Sequence, residues 1–202
     1  VNTLEAGSLP ARVKETPLME KTVGPSLGER NRTDGMRAAV IAFVAVVIMV
    51  AGYYLFAGVV ADVALMLNLL FTLAVMAMLE ATFTLPGIAG VMLTVGMAVD
   101  ANVLINERMR EERERGVSLK KSVKAGYDRA FSAILDSNLT TLLTCVILGY
   151  VGSEEVKGFA LTLGFGIATS MFTALVVTRL IFDTLISAGW IKSLPMLKLM
   201  GV

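Results

Sequence analysis

The chemistry in this 202-residue chain rests on one carboxyl group, that of Asp100, and on the small and hydroxyl-bearing residues spaced around it. Asp100 lies in an apolar run centred near residue 95 or 96, about 7 Å from the middle of that run at 1.5 Å per helical residue. An aspartate at such a depth in a bilayer costs about 2.5–3.5 kcal/mol on translocon scales. No Lys or Arg lies at the same depth on a neighbouring run. A carboxyl group exchanges a proton without any cofactor, and that exchange is the step a proton-coupled transporter needs. Ionisable groups this deep are functional by default. The alternative is a protonated Asp hydrogen-bonded to another helix as structural glue.

The neighbours of Asp100 follow helical spacing. Ala89, Leu93, Gly96 and Asp100 fall on one stripe, and Gly87 and Gly90 widen its small surface, so that another backbone can approach. On a second run Asp136, Thr140 and Thr144 recur at i, i+4 and i+8, with Ser137, Asn138 and Thr141 beside them. A third carries Thr162, Gly166, Thr169, Ser170 and Thr173. Together the three faces are expected to line one polar seam, although ordinary helix packing accounts for each stripe singly. Asn68, Thr72 and Glu80 give a weaker signal, Glu80 being placed where a helix end meets water.

Other chemistries are excluded by what is missing. The sequence has no histidine, which removes His-based triads, HExxH zinc sites and His proton shuttles. The single cysteine, Cys145, lies in an apolar run and can form no internal disulfide. GMAVD around Asp100 has Ala98 where an intramembrane aspartyl protease needs glycine, and Tyr127-Asp128 falls in a basic segment. There is no rhomboid-type GxSG serine, no Walker lysine and no metal-ligand cluster, so neither a catalytic centre nor a cofactor is expected.

The elements that must position Asp100 follow from composition. Residues AVILMFWYC make up 55% of the chain before its 18 glycines are counted, against roughly 45–50% for soluble domains with glycine included. Between Arg37 and Arg108 lie 70 residues without a Lys or Arg and with four acids only, Asp62, Glu80, Asp100 and Glu107. A net charge of +1 hides this segregation, which excludes disorder, a disulfide scaffold and a nucleic-acid module. Apolar runs at about 37–57, 62–84, 86–106, 133–152 and 158–187 each reach the roughly 20 residues needed to cross a bilayer. An all-α membrane protein of five transmembrane helices is therefore expected over 36–187. A polar N-terminal stub over 1–35 and a tail or linker over 188–202 flank it.

Boundaries and orientation can be argued from single residues. Gly58 and Asp62 mark a tight turn, Pro86 suits the first turn of the third helix, and 152–155 forms a short polar hairpin. The fifth run is long enough that it must tilt or leave the bilayer, near Arg179 and Asp183. The connection 107–132 holds eight Lys/Arg against five Asp/Glu and is expected to be a cytoplasmic loop, with a short capped surface helix starting at Ser118. Its charge run from Glu107 to Arg115 reads most simply as a solvated helix end; contact with anionic lipid or with an acidic partner surface is the other reading. The stub and the turns at 83–86 and 151–157 are then external, and the C-terminus is cytoplasmic. Five basic residues on an external stub fit a long exported domain. With no initiating Met and no cleavable leader, the chain reads as a fragment of a longer polypeptide.

The segment LPGIAGVMLTVGMAVDANVLINERMREE, from Leu85 to Glu112, resembles the signature of the bacterial SecD family of the Sec protein-export machinery. Flanking stretches agree, among them RAFSAILDSNLTTLLT and KGFALTLGFGIATSMFTALVVTRLIFD, and the similarity covers most of residues 8–187. The resemblance implies an RND-like half-bundle, helices two to six of six, with a large external domain between the first two. It implies SecF as partner, separate or fused, alongside the SecYEG translocon, possible further accessory subunits and unfolded preprotein. It also implies a multi-pass place in the bacterial inner membrane, contact with lipid but not nucleic acid, and use of the proton motive force. Asp100 would lie in the proton path, with Asn102 of the same Asp-Ala-Asn tripeptide beside it. Two departures stand out: Glu29-Arg30-Asn31-Arg32 replaces an Asp-Ser-Ile-like stretch, and Asn106 stands where an aromatic is usual. An RND-like exporter of lipid or hydrophobic small molecules, and a structural scaffold around a translocon, share the same residues.

Overall fold

The computed structural model describes residues 25–81 and 84–189, with side chains from residue 29 onward. These form α1 (Pro25–Tyr54), α2 (Phe56–Met78), α3 (Leu85–Glu114), α4 (Leu119–Val151) and α5 (Glu154–Phe172). A π-helical turn over Thr173–Val177 carries α5 into α6 (Thr178–Ser187). Among the described residues five helices are long and apolar enough to cross a membrane, α5 to α6 counting as one of 34 residues. Among the described residues there is no strand.

Several boundaries differ from the sequence expectation. Helix α1 starts at Pro25, inside the stretch read as a polar stub, because residues 29–37 supply a good helix with its own Arg30–Asp34 and Arg37–Asp34 pairs. The first turn is not at 58–62. It is the single residue Leu55, held at φ 49°. Gly58 serves a different purpose: a Cβ there would collide with the Val50 carbonyl oxygen, so its absence lets α1 and α2 close on each other.

The expected 107–132 loop is also mostly helix. The charge run continues α3 for two more turns, supported by Arg108–Glu111, Arg110–Glu107 and Arg110–Glu114 pairs. Arg115 to Ser118 make the turn, with Gly116 at φ 79° and the Val117 amide donating to the Glu112 carbonyl, a left-handed helix stop. From Leu119 one unbroken helix runs to Val151 rather than a short surface helix followed by a span. The reason lies in its packing face, since Val123, Tyr127, Ala130 and Ile134 stay buried across the expected break. At the opposite end Thr84 caps α3 by accepting from the Gly87 amide at 3.2 Å, with Pro86 in the first turn. Most of the tail, and residues 1–24 of the stub, lie outside the described residues.

Helix α3 is the centre of the bundle and packs on α2, α4 and α5, while α1 and α4 are mostly exposed. The core joins Val95, Ala98 and Ile105 of α3 to Ala57, Ala61 and Leu65 of α2 and Phe182 of α6. At 30 residues α3 is about 45 Å long, so its last turns project beyond a hydrocarbon core of about 30 Å.

Candidate functional site

Small residues bring α3 and α5 together side by side. Gly90 approaches the Phe159 carbonyl and Thr162, and a Cβ at Gly166 would collide with the Thr94 side chain. The contact stacks a polar layer inside the bundle. Asn68 of α2 donates through Nδ2 to the Gly166 carbonyl at 3.3 Å, and Thr72 shares a 2.9 Å hydrogen bond with Thr169. Ser170 and Thr94 are buried and donate to their own helices, to Ile167 and Gly90. Each of these groups is satisfied, which makes the layer an adhesive between three helices.

Asp100 is not part of that layer. Its stripe, Ala89, Leu93, Gly96 and Asp100, faces outward and is exposed along its length, with nothing within 4 Å of a Cβ added at Gly96. The Asp100 carboxylate has neither an ion pair nor a hydrogen bond to another described residue. It opens on a groove of about 170 Å³ between α3 and α4, lined also by Met97, Leu104, Ser137, Asn138 and Thr141. That space is large enough for several waters. Asn138 is buried against the groove and ties its Nδ2 to the Ile134 carbonyl at 2.7 Å.

The expected seam thus divides in two. Gly90, Gly166 and Ser170 belong to the internal layer, whereas Asp100 meets only the Ser137, Asn138 and Thr141 face of α4. Asp136, Thr140 and Thr144 are exposed on the next strip of α4, and both threonine hydroxyls bond back to carbonyls of their own helix. The stripe chosen from sequence was one position off, because successive helical residues turn by about 100° and only a packed neighbour fixes which strip faces the groove. Asn102 is buried on the opposite side of α3, donating to the Ala98 carbonyl at 3.1 Å, and does not line the Asp100 groove.

The burial of two polar residues escaped the sequence reading. Asp62, read as a turn marker, lies in the second turn of α2 at 7% exposure, with no hydrogen-bond partner for Oδ1 among the described residues. Its neighbours Ala57, Ala61 and Ala64 were the available signal, since a small-residue face marks a closely packed helix. Asn106 is 3% exposed and its Nδ2 is likewise unpartnered. Among the described residues no group of His, Cys, Asp and Glu could hold a metal ion.

At the charged end of α3 the polar contacts are denser. Tyr54 donates to Glu107 at 2.9 Å and Arg110 donates to the Tyr53 hydroxyl at 3.3 Å. Buried Glu112 accepts from Arg115 of its own turn and pairs with Arg129 of α4 at 2.6 Å. This cross-brace fixes the ends of α3 and α4 to each other.

Residues 10–188 match the family described as protein export membrane protein SecD/SecF, C-terminal. The chain is 50% identical over 186 residues to a protein translocase subunit SecD of Rhodothermus marinus, covering 92% of this chain and 30% of that protein. It is 50% identical over 188 residues to the SecD of Elusimicrobium minutum, covering 93% and 39%. Among solved structures it resembles SecDF from a Thermus species, a translocon-associated membrane protein, at TM-score 0.81 and 36% identity over 87% of this chain and 24% of that one. SecDF in its super-membrane-facing form gives a TM-score of 0.79 at the same identity. The chain therefore spans less than half the length of each of these relatives.

Proposed function

The chain belongs to the SecD/SecF C-terminal family of protein export membrane proteins, and from that premise we propose that it is the membrane-spanning module through which a SecD-type translocase subunit uses the proton motive force to promote preprotein export. One observation carries the reading: a carboxyl group in the middle of α3, unpaired among the described residues, facing out of the bundle beside a hydroxyl-lined groove. Asp100 takes and releases the proton, and Ser137, Asn138 and Thr141 hold the water that delivers it.

The exposed stripe supports a partner. A carboxyl, a glycine and the hydroxyls of α4 make a poor surface for acyl chains, since a polar group left to hydrocarbon costs several kcal/mol on the order of a lost hydrogen bond or more. A second helical half, SecF as a separate subunit or in the same polypeptide, covers Ala89, Gly96 and Asp100 and brings the cation that this chain lacks at that depth. The charged ends of α3 and α4 are cytoplasmic by their excess of Lys and Arg, and the SecYEG channel supplies the emerging preprotein on the opposite side.

The test is Asp100→Asn in the full-length subunit with its partner, reconstituted with the translocon in proteoliposomes under an imposed proton gradient. Gradient-driven stimulation of export is expected to vanish while export driven by ATP alone persists. Stimulation that survived the substitution would overturn the reading.

A further inference from the structure

Away from Asp100, the charged end of the bundle holds an arginine with neither an ion pair nor a hydrogen bond among the described residues. Arg179, the second residue of α6, places its guanidinium carbon 5.8 Å from the centroid of the Tyr127 ring on α4. The ring is fixed in place, because Tyr127 is buried and its hydroxyl bonds to Thr178, which donates in turn to the Ala174 carbonyl of the π turn. Among the described residues no carboxylate lies within 4.0 Å of Arg179 and no acceptor takes its N–H groups, although Asp128 shares its groove and Asp183 follows one turn later. A guanidinium held against a ring with its fork of donors unused is suited to a phosphate.

The surroundings distinguish a lipid from a free anion. The groove measures about 350 Å³ and is lined by Tyr127, Asp128, Phe131, Leu175, Val176 and Arg179. Phe131 is 49% and Val176 51% exposed, and by the run of their helices both lie on the membrane side of Arg179. The head of the groove therefore offers the Arg179 guanidinium beside the Asp128 carboxylate, and its continuation is apolar. Its depth also fits: Gly126, next to Tyr127, packs on Met109 of α3, which sets Arg179 level with the Tyr53, Tyr54, Glu107 and Arg110 contacts. Tyrosines and cations at one level mark a headgroup region.

We infer that this groove binds an anionic glycerophospholipid, its phosphodiester against Arg179 and one acyl chain along Phe131 and Val176. The Asp128 carboxylate in the lining disfavours a dianionic headgroup such as phosphatidic acid and suits one bearing hydroxyls, as phosphatidylglycerol does. The site lies on α4 and α6, apart from the Asp100 groove, and its occupancy is independent of proton transfer there.

The full-length subunit with its partner is purified in detergent with equal amounts of phosphatidylglycerol and phosphatidylcholine, and retained lipids are counted by native mass spectrometry. Wild type should retain phosphatidylglycerol in preference. Arg179→Gln should reduce that retention about tenfold, the loss expected when charge-assisted hydrogen bonds are removed. Arg108→Gln, whose guanidinium is already paired with Glu111, should leave it unchanged. Arg179→Lys keeps the charge without the fork and should give a partial loss, which supplies the reading should the Gln variant not assemble. Equal retention of the two lipids by wild type, or undiminished phosphatidylglycerol in both Arg179 variants, would overturn the inference.

Discussion

Asn106 shows how much a single buried polar atom weighs in this bundle. Its amide nitrogen is without a hydrogen-bond partner among the described residues, and leaving such a donor unmade costs about 1–3 kcal/mol. Leucine has the same branched shape and number of side-chain heavy atoms and no donor to satisfy. Asn106→Leu should therefore raise the unfolding midpoint of the purified protein by several degrees, a gain of about 1–2 kcal/mol, whereas Asn106→Asp should lower it; a destabilised Leu variant would show that the amide is satisfied. Asp100 itself was legible from sequence, because its depth follows from the limits of an apolar run and the absence of cations from a count. The direction it faces was not, since that depends on which neighbours α3 acquires. Asn102, two residues on, turns by about 200° and ends inside the bundle.

At the scale of helices, the glycines divide by what they touch. Gly166 receives Thr94 and Gly58 receives the Val50 carbonyl, both too close for a Cβ. Gly166→Ala should cost about 1–3 kcal/mol as α3 and α5 are forced apart, read as a lower unfolding midpoint in detergent. Leu55 gives the opposite expectation. A leucine at φ 49° and ψ −114° sits in a backbone region natural to glycine, so Leu55→Gly should leave stability unchanged or raise it by about 1 kcal/mol; a clear loss would mean that the Leu55 side chain anchors the turn. The five spans were legible because 20-residue apolar runs have few other readings. The 107–132 segment was misread because its charges resemble a loop, while their three- and four-residue spacing, from Arg108 to Glu114, is what extends a helix. The Leu55 turn gave no signal, since nothing about a leucine between two aromatics announces a reversal.

For the molecule as a whole, folding and assembly can be separated at Gly96. Nothing approaches that position within this chain, and yet it shares a stripe with Asp100. Gly96→Leu should keep or slightly raise the stability of the chain alone, through helix propensity worth just under about 1 kcal/mol, and should sharply reduce co-purification with the partner half. Intact association would argue that lipid, not protein, covers the stripe. The split polar seam could not be read from sequence because which strip of each helix meets a neighbour is fixed only by the packing of all five helices. Tight connections at three of the joints between helices also limit the motions open to the bundle. Leu55 alone joins α1 to α2, and one residue spans at most about 3.6 Å; α4 reaches α5 through Gly152 and Ser153, and the α3–α4 hairpin is clamped by Glu112 across to Arg129. Such linkages have almost no slack along the membrane normal. A piston stroke of α1 past α2, of α3 past α4 or of α4 past α5 is mechanically barred, and relative motion at those three joints is confined to tilt and rotation about short pivots.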